Sequence, residues 1–250
     1  MSEPLAVVLA AGRGTRMKSD LPKVLFPALG RPMLHWVLDS LAEAGISKSI
    51  VVVGYRADDV KQELSGRSNV DFALQEEQLG TGHAVEICRP LLEKHDGPVM
   101  IVAGDSPLIQ ASSVNKVLTE FQSGNWSCLL GTLLKDDPTG LGRIVRGSDQ
   151  RFERIVEHKD ASEEELAIKE VNMSTYMFDC QSLLWALSQL GNSNSQGEYY
   201  LTDCPEILRE DGRAVDALPV LQPCESYSIN TIDELAIVEA KMREMGYSES

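Results

Sequence analysis

Leu5-Ala6-Val7-Val8-Leu9-Ala10-Ala11-Gly12-Arg13-Gly14-Thr15-Arg16-Met17-Lys18 decides how this chain reads. The run from Leu5 to Ala11 is apolar without alternation, as a strand covered on both faces must be. It passes without a break into a loop of glycines and cations, and then into Leu21-Pro22-Lys23-Val24. Glycines let backbone N–H groups close on an anion, and cations neutralise it. A buried strand feeding such a loop is a device for holding phosphates.

Outward from that start, the first half alternates strand and helix. Ser49–Gly54, Val70–Leu74, Val99–Ala103 and Cys128–Leu133 read as buried strands. Between them, Met33–Ala44 carries Leu34, Val37, Leu38 and Leu41 on one helical stripe, with Gly45 as its stop. Ala57–Leu64, Gly82–Glu93 and Ala111–Gln122 are the other helices, the second disturbed at Pro90. Alternation of this kind predicts a Rossmann-like α/β fold, a mostly parallel sheet with helices on both faces. After about Asp136 the texture changes. Short strands are expected at Gly142–Val145 and Arg151–Glu157, and a longer one at Val171–Phe178. Ser162 before three glutamates marks a helix start. Gln181–Leu190, Leu201–Glu210 and Ile232–Met245 complete the helices. This half reads as a layer added to the sheet within one domain spanning 1–250. The division is a nucleotide half over about 1–135, an acceptor half over 136–230 and a closing helix over 231–246.

The chain has 250 residues and a net charge of −15, which argues against nucleic acid as a partner. Between Gly12 and Arg31, however, five cations (Arg13, Arg16, Lys18, Lys23, Arg31) face only Asp20. A basic mouth on an acidic chain points to a small anionic ligand. The five cysteines form no C-x-x-C pair and are expected as reduced core thiols. The apolar N-terminal run is too short for a membrane span and has no basic residues before it, so a cytoplasmic location is expected.

The opening loop admits several readings. A dinucleotide fingerprint and a P-loop both require glycine at position 17, where Met17 stands. A glycine-rich turn with solvated cations is the plain alternative. Asp105 follows an apolar strand and so lies at the carboxyl edge of the sheet, as the loop does. In a 3-2-1-4 strand order the two meet at the switch point. A carboxylate beside a polyphosphate is where Mg²⁺ belongs, although Asp105 also suits a turn before Pro107. Lys23 could snorkel to solvent, Glu157 could be a surface carboxylate, Asn230 could cap the last helix, and Tyr199 and Tyr200 could be packing residues. Gln75 and Gln78 are amides, able to donate to and accept from a base edge.

Seven segments in order resemble the sugar-phosphate nucleotidyltransferases: Leu9–Met17, Leu21-Pro22-Lys23, Gln75–Ala84, Gly104–Leu108, Pro138–Ile144, Ile155–Ala161 and Gln196–Asp203. Their spacing is similar to that of the members that use UTP and N-acetylglucosamine 1-phosphate. The resemblance implies Mg²⁺-dependent transfer of UMP to the sugar phosphate, with release of pyrophosphate. It implies Gly12, Gly14, Thr15 and Arg16 at the polyphosphate, Lys23 at the transferred phosphoryl group, and Asp105 with Asn230 as metal ligands. Arg16, Lys23 and Asp105 would be catalytic. Leu9, Ala10, Ala11, Gln75, Gln78, Gly80 and Thr81 would seat the uridine. Ala103, Gly104, Gly142, Glu157, Asn172, Tyr200 and Thr202 would line the sugar side. The alternatives are another sugar 1-phosphate, or a nucleotide-sugar-binding module without turnover. Four features depart from the pattern: Ala103 where an aromatic is frequent, Met173-Ser174 in place of Thr-Gly, Ser228 before Ile229-Asn230, and no hexapeptide repeat of the kind that carries acetyltransfer in bifunctional members.

Overall fold

The computed structural model describes residues 2–17 and 19–249. In chain order the elements begin with β1 (Leu5–Leu9), a short hairpin of β2 (Pro27–Ala28) and β3 (Arg31–Pro32), and α1 (Met33–Glu43). Then come β4 (Lys48–Val53), α2 (Ala57–Glu63), β5 (Val70–Leu74), α3 (Thr81–Glu86), α4 (Arg89–Leu92) and β6 (Pro98–Ala103). The middle holds α5 (Ala111–Ser123), β7 (Cys128–Leu134), β8 (Arg143–Arg146), β9 (Phe152–Val156), α6 (Glu163–Leu166) and β10 (Glu170–Asp179). The last elements are α7 (Cys180–Gln189), α8 (Cys204–Glu210), β11 (Val215–Leu218) and α9 (Ile232–Glu244).

One sheet runs through the molecule in the order β11-β7-β10-β6-β1-β4-β5. Its parallel part, β5-β4-β1-β6, has the 3-2-1-4 order in which the opening loop and Asp105 meet at the switch point. β1 is central, so successive residues feed two different cores. Val7 packs with Ile50, Val52 and Ile101 against α3 and α7 on one face. Ala6 and Val8 pack with Val51, Val53 and Val102 against α1 and α5 on the other. This two-sided burial is why the strand shows no polar alternation. α1 ends as its sequence directs. Gly45, at φ +92°, donates its N–H to the Ala42 carbonyl, and Ile46 donates to Leu41 at 2.9 Å. These are the two bonds of a Schellman cap.

The second half differs from expectation in one respect. It extends the sheet instead of forming a layer on it. β10 lies antiparallel between β6 and β7, and β11 adds a parallel edge to β7. Only the β8–β9 hairpin leaves this plane, joined to β10 through Val171 and Arg143. Two predicted helices are also subdivided. The segment read as Gly82–Glu93 breaks into α3 and α4, with Pro90 in the first turn of α4, where its missing N–H costs no bond. The stretch from Leu201 begins as a 3₁₀ turn before α8. All five cysteines are buried free thiols.

A third apolar cluster, built around α9, positions the site. Val238 and Met242 of α9 pack with Met17, Met33, Leu108 and Ile229. Met17, where a P-loop would need glycine, is thus a core residue only 2% exposed. It pins the opening loop to the closing helix.

Candidate active site

Three elements bring the site together at the carboxyl edge of the sheet. Ala10 N–H donates to the Val52 carbonyl at 3.0 Å, so the exit from β1 stays in register with β4. At the exit of β6, Gly104 N–H donates to the Leu9 carbonyl at 2.9 Å. A Cβ on Gly104 would lie 3.0 Å from that oxygen, so the absence of a side chain lets β6 deliver Asp105 beside the loop. Gly14 adopts φ +69°, and a Cβ there would lie 2.8 Å from Lys23 Cβ. The glycine lets the loop pass directly over Lys23.

Lys23 is the hub. Its Nζ is paired with Asp105 Oδ2 and donates to Asn230 Oδ1 at 2.6 Å. Arg16 Nη2 donates to the same Asn230 oxygen at 2.9 Å. Residues more than two hundred positions apart are therefore held within one polar cluster. The α9 cap explains how. Thr231, not Asn230, is the N-cap, and its hydroxyl accepts from Glu234 N–H at 3.2 Å. Glu234 Oε2 in return accepts from Asn230 and Thr231 N–H at 2.6 and 3.0 Å. That capping box fixes the backbone of Asn230 and leaves its side-chain oxygen to Lys23 and Arg16.

The predicted basic mouth is smaller than the sequence implied. Arg31 pairs with Asp39 at 2.5 Å and stacks on Trp36, and Arg13 lies over the Tyr55 ring at 4.9 Å. Both charges have local partners on the protein, so proximity in sequence did not put them in the site. Arg16 and Lys23 reach it. Lys18 and the Thr15 side chain lie outside what the structure describes.

A cavity of about 390 Å³ joins Leu9, Ala10, Ala11 and Gly12 with Lys23, Gln75, Gln78, Gly80, Thr81, Ala103 and Asp105. Val24, Ala84, Ser174 and Glu198 also line it, and none of these was named from the sequence as a contact. Glu198 sits inside the Gln196–Asp203 motif and Ser174 at a departure from pattern, so both carried a signal. Gln75 is buried, and its Nε2 lies 3.1 Å from both the Gly80 carbonyl and His83 Nδ1. Gln78 Nε2 donates to the Ala11 carbonyl at 2.7 Å. The two amides thus brace the loop as well as line the cavity. Gly80 has φ +113°, and Thr81 Oγ1 accepts from Leu201 N–H at 3.0 Å. A second cavity, of about 500 Å³, holds Arg16 and Asn230 along with Lys135 and Tyr227.

Gly142, Glu157, Asn172, Tyr200 and Thr202 line neither cavity. Four of them form two hydrogen-bonded pairs, and Tyr200 is bonded to Gln196. Gly142 carbonyl accepts from Asn172 N–H at 2.9 Å, and Thr202 Oγ1 donates to Glu157 Oε1 at 3.2 Å. The Tyr200 hydroxyl accepts from Gln196 Nε2 at 2.6 Å. Burial pushes the Glu157 carboxyl above the ordinary range, against the pull of the Thr202 hydroxyl. Burial, reinforced by Glu206, Glu157 and Asp160, pushes Asp203 up to about 6. A carboxyl raised in the folded state costs stability wherever it is ionised in both states. For Asp203 that cost is complete above pH 6 and disappears towards its unfolded value near 3.8. Asp203→Asn is therefore expected to raise Tm at pH 7.5 by a few degrees, about 2–4 °C per kcal/mol recovered. The gain should shrink from pH 6 to pH 4 in melts followed by circular dichroism. A gain constant with pH would mean that the charge is not its source.

The donor set fits a hard divalent cation. Asp105 Oδ2 and Asn230 Oδ1 both contact one cationic nitrogen, so two protein oxygens converge within reach of a single charge. Among the described residues no group of three or more His, Cys, Asp or Glu could hold a metal. One carboxylate and one amide oxygen suit Mg²⁺, which takes few protein ligands and completes its shell with phosphate and water.

A doubly wound sheet with a glycine loop, a lysine and an aspartate at its switch point defines an α/β nucleotidyltransferase. The chain belongs to the nucleotidyl transferase family, whose model matches residues 5–220. It is 46% identical over 241 residues to the bifunctional protein GlmU of Geobacillus thermodenitrificans, covering 96% of this chain and 52% of that protein. The same identity over 241 residues holds for the GlmU of an Exiguobacterium species, with 96% and 53% covered. The chain thus spans about half the length of these curated relatives. In fold it is similar to a UDP-glucose pyrophosphorylase complexed with UDP-glucose, at a TM-score of 0.79 and 15% identity, covering 98% of this chain and 100% of that one. It is equally similar to a putative glucose-1-phosphate thymidylyltransferase from Bacillus anthracis, at a TM-score of 0.79 and 17% identity, with 98% and 97% covered.

Proposed function

We propose that this chain transfers UMP from UTP to N-acetylglucosamine 1-phosphate, giving UDP-N-acetylglucosamine and pyrophosphate. The observation that carries the reading is the convergence of Asp105, Asn230 and Arg16 on and around Lys23 beside the Gly14 loop. The likeness to GlmU proteins supports the choice of base and sugar. Residues 1–135 hold the nucleotide, residues 136–230 the acceptor, and the helix over 231–246 brings Asn230 to the junction. No helix among the described residues is long and apolar enough to cross a membrane. We take the reaction to be cytoplasmic.

The attacking oxygen belongs to a phosphate monoester, whose second pKa is about 6, so it is mostly dianionic at neutral pH. No side chain has to remove a proton. The chain supplies alignment and charge neutralisation. Arg16, Gly12 and the Gly14 loop bind the pyrophosphate portion of UTP. Lys23 Nζ follows the α-phosphoryl group, exchanging carboxylate and amide oxygens for phosphate oxygens. Ala10, Ala11, Gln75, Gln78, Gly80 and Thr81 enclose the uridine. Asp105 and Asn230 would hold Mg²⁺, which supplies neutralisation of the phosphate charge.

The test is a product assay with UTP, Mg²⁺ and a panel of sugar 1-phosphates, separating nucleotides by ion exchange and following pyrophosphate. UDP-N-acetylglucosamine formed in step with pyrophosphate is the expected result. Preference for another sugar, which the small side chains of Ala103 and Ser174 leave room for, would revise the acceptor. Bound UTP without product from any sugar would overturn catalysis.

A further inference from the structure

Ser174 is held in a conformation that an L-residue seldom adopts. Its φ is +53°, at a point where the pairing of β10 with β7 slips between Asn172 and Thr175. Glycine would take that backbone without strain, whereas a serine needs the surrounding structure to enforce it. Residues kept in such regions cluster where a side chain serves a ligand, which directs attention to what Ser174 touches.

It lines the cavity that contains Lys23 and Asp105. The β10–β6 pairing ends with Tyr176 opposite Ile101, two residues from Ser174 and from Ala103, which line the same cavity. Ala103 presents only a methyl group, and the space beside the serine remains open to the cavity. Behind it, the buried Asn172 grips both ends of the kink. Its Oδ1 accepts from Ser174 N–H at 3.1 Å, and its Nδ2 donates to the Tyr176 hydroxyl at 2.7 Å. Tyr176 is almost completely buried. Ser174, its N–H held by Asn172, shares the cavity wall with Lys23 and Asp105, and its hydroxyl can donate to an oxygen of a ligand there.

Resting on the reaction proposed above, we propose that Ser174 is an acceptor-binding residue. Its hydroxyl donates to a phosphate oxygen of the incoming sugar 1-phosphate, beside Lys23 and Asp105.

Two variants separate the hydroxyl from the strain. Ser174→Ala keeps Cβ and the positive φ and loses only the hydroxyl. Ser174→Gly loses the hydroxyl and relieves the strain. Both are expected to raise KM for N-acetylglucosamine 1-phosphate roughly tenfold, as loss of a charge-assisted hydrogen bond would. KM for UTP should stay within about twofold. The same factor is expected for other sugar 1-phosphates that the parent chain uses, because the contact is with their common phosphate. Ser174→Gly should melt no lower than Ser174→Ala. An acceptor KM within twofold of the parent in Ser174→Ala overturns the proposal, whatever happens to Tm. A change in the ranking of sugars also overturns it, by moving the contact to the sugar ring. Absence of product from the parent chain overturns the reaction itself and this proposal with it, whereas an active parent with an unchanged variant overturns the serine contact alone.

Discussion

Asp105→Ala is expected to lower kcat by about three orders of magnitude, the loss typical of removing a principal charge-stabilising group. The fold should survive. Asp105 is at the sheet edge, immediately before a turn closed by Ile109 N–H donating to the Ser106 carbonyl at 3.1 Å, and no apolar cluster includes it. Among the described residues its salt-bridge partner is Lys23, which keeps Asn230 Oδ1 as a partner. Partly exposed ion pairs contribute little, so Tm should move by no more than about 4 °C. The measurement pairs a pyrophosphate-release assay with a thermal melt. Turnover within tenfold of the parent would remove Asp105 from the reaction. A collapse in Tm would reassign it to the fold.

Gly80→Ala has the opposite profile, with a large loss of stability and of nucleotide binding together. Gly80 sits at φ +113°, and an added Cβ would collide with the Tyr199 carbonyl oxygen and lie 2.9 Å from its N. Those are backbone atoms of a crossing segment. That segment is tied down by Tyr199 N–H to the Leu79 carbonyl and by Gly82 N–H to the Tyr199 carbonyl, each at 2.8 Å. The two nearest atoms belong to the main chain and cannot swing aside as the end of a side chain would. Relief requires parting the two segments, which loosens the cavity wall where Gln75 and Thr81 stand. Adding the strain of the positive φ, the cost is about 3 kcal/mol. Denaturant titration should show this as a lower midpoint at unchanged slope, and KM for UTP should rise more than tenfold. A midpoint equal to the parent's would mean that the Tyr199 segment yields freely.

The parallel core was legible because each of its strands is a short apolar run closed by a turn signal, and burial on both faces makes such strands parallel. β10 was legible as a strand but not as the strand that reverses direction between β6 and β7, since side-chain pattern carries no polarity. β11 was not legible at all. Val-Asp-Ala-Leu is too short to show a period, and its place depends on a free edge of β7 supplied by tertiary structure. The site divides in the same way. Lys23, Asp105 and the glycine loop announce themselves by abrupt changes of residue type after apolar strands. Arg13 and Arg31 carry the same signal, yet their charges are absorbed by Tyr55, and by Asp39 with Trp36. Charge counted along the sequence cannot separate these cases, because the partners lie on other elements. Glu225 was likewise invisible. It is a buried carboxylate bonded to Ser113 Oγ at 2.5 Å and to Gln110 and Gln222 N–H at 3.1 and 2.7 Å. In the sequence it is one acid among many.

The position of β10 also governs how the chain comes off the ribosome. β7 has two sheet partners, β10 and β11, and both are translated after it. When the nascent chain has grown only through β7, that strand has nothing to pair with, and β6 shows an open edge. Apolar strands with bare edges are where nascent chains stick to one another. The facing edges of β6 and β7 therefore stay bare until Asp179 has cleared the exit tunnel, and the sheet is complete only after Leu218 follows. The β8–β9 hairpin and the short α6 are made during that interval, so their length sets how long the unfinished sheet needs shelter.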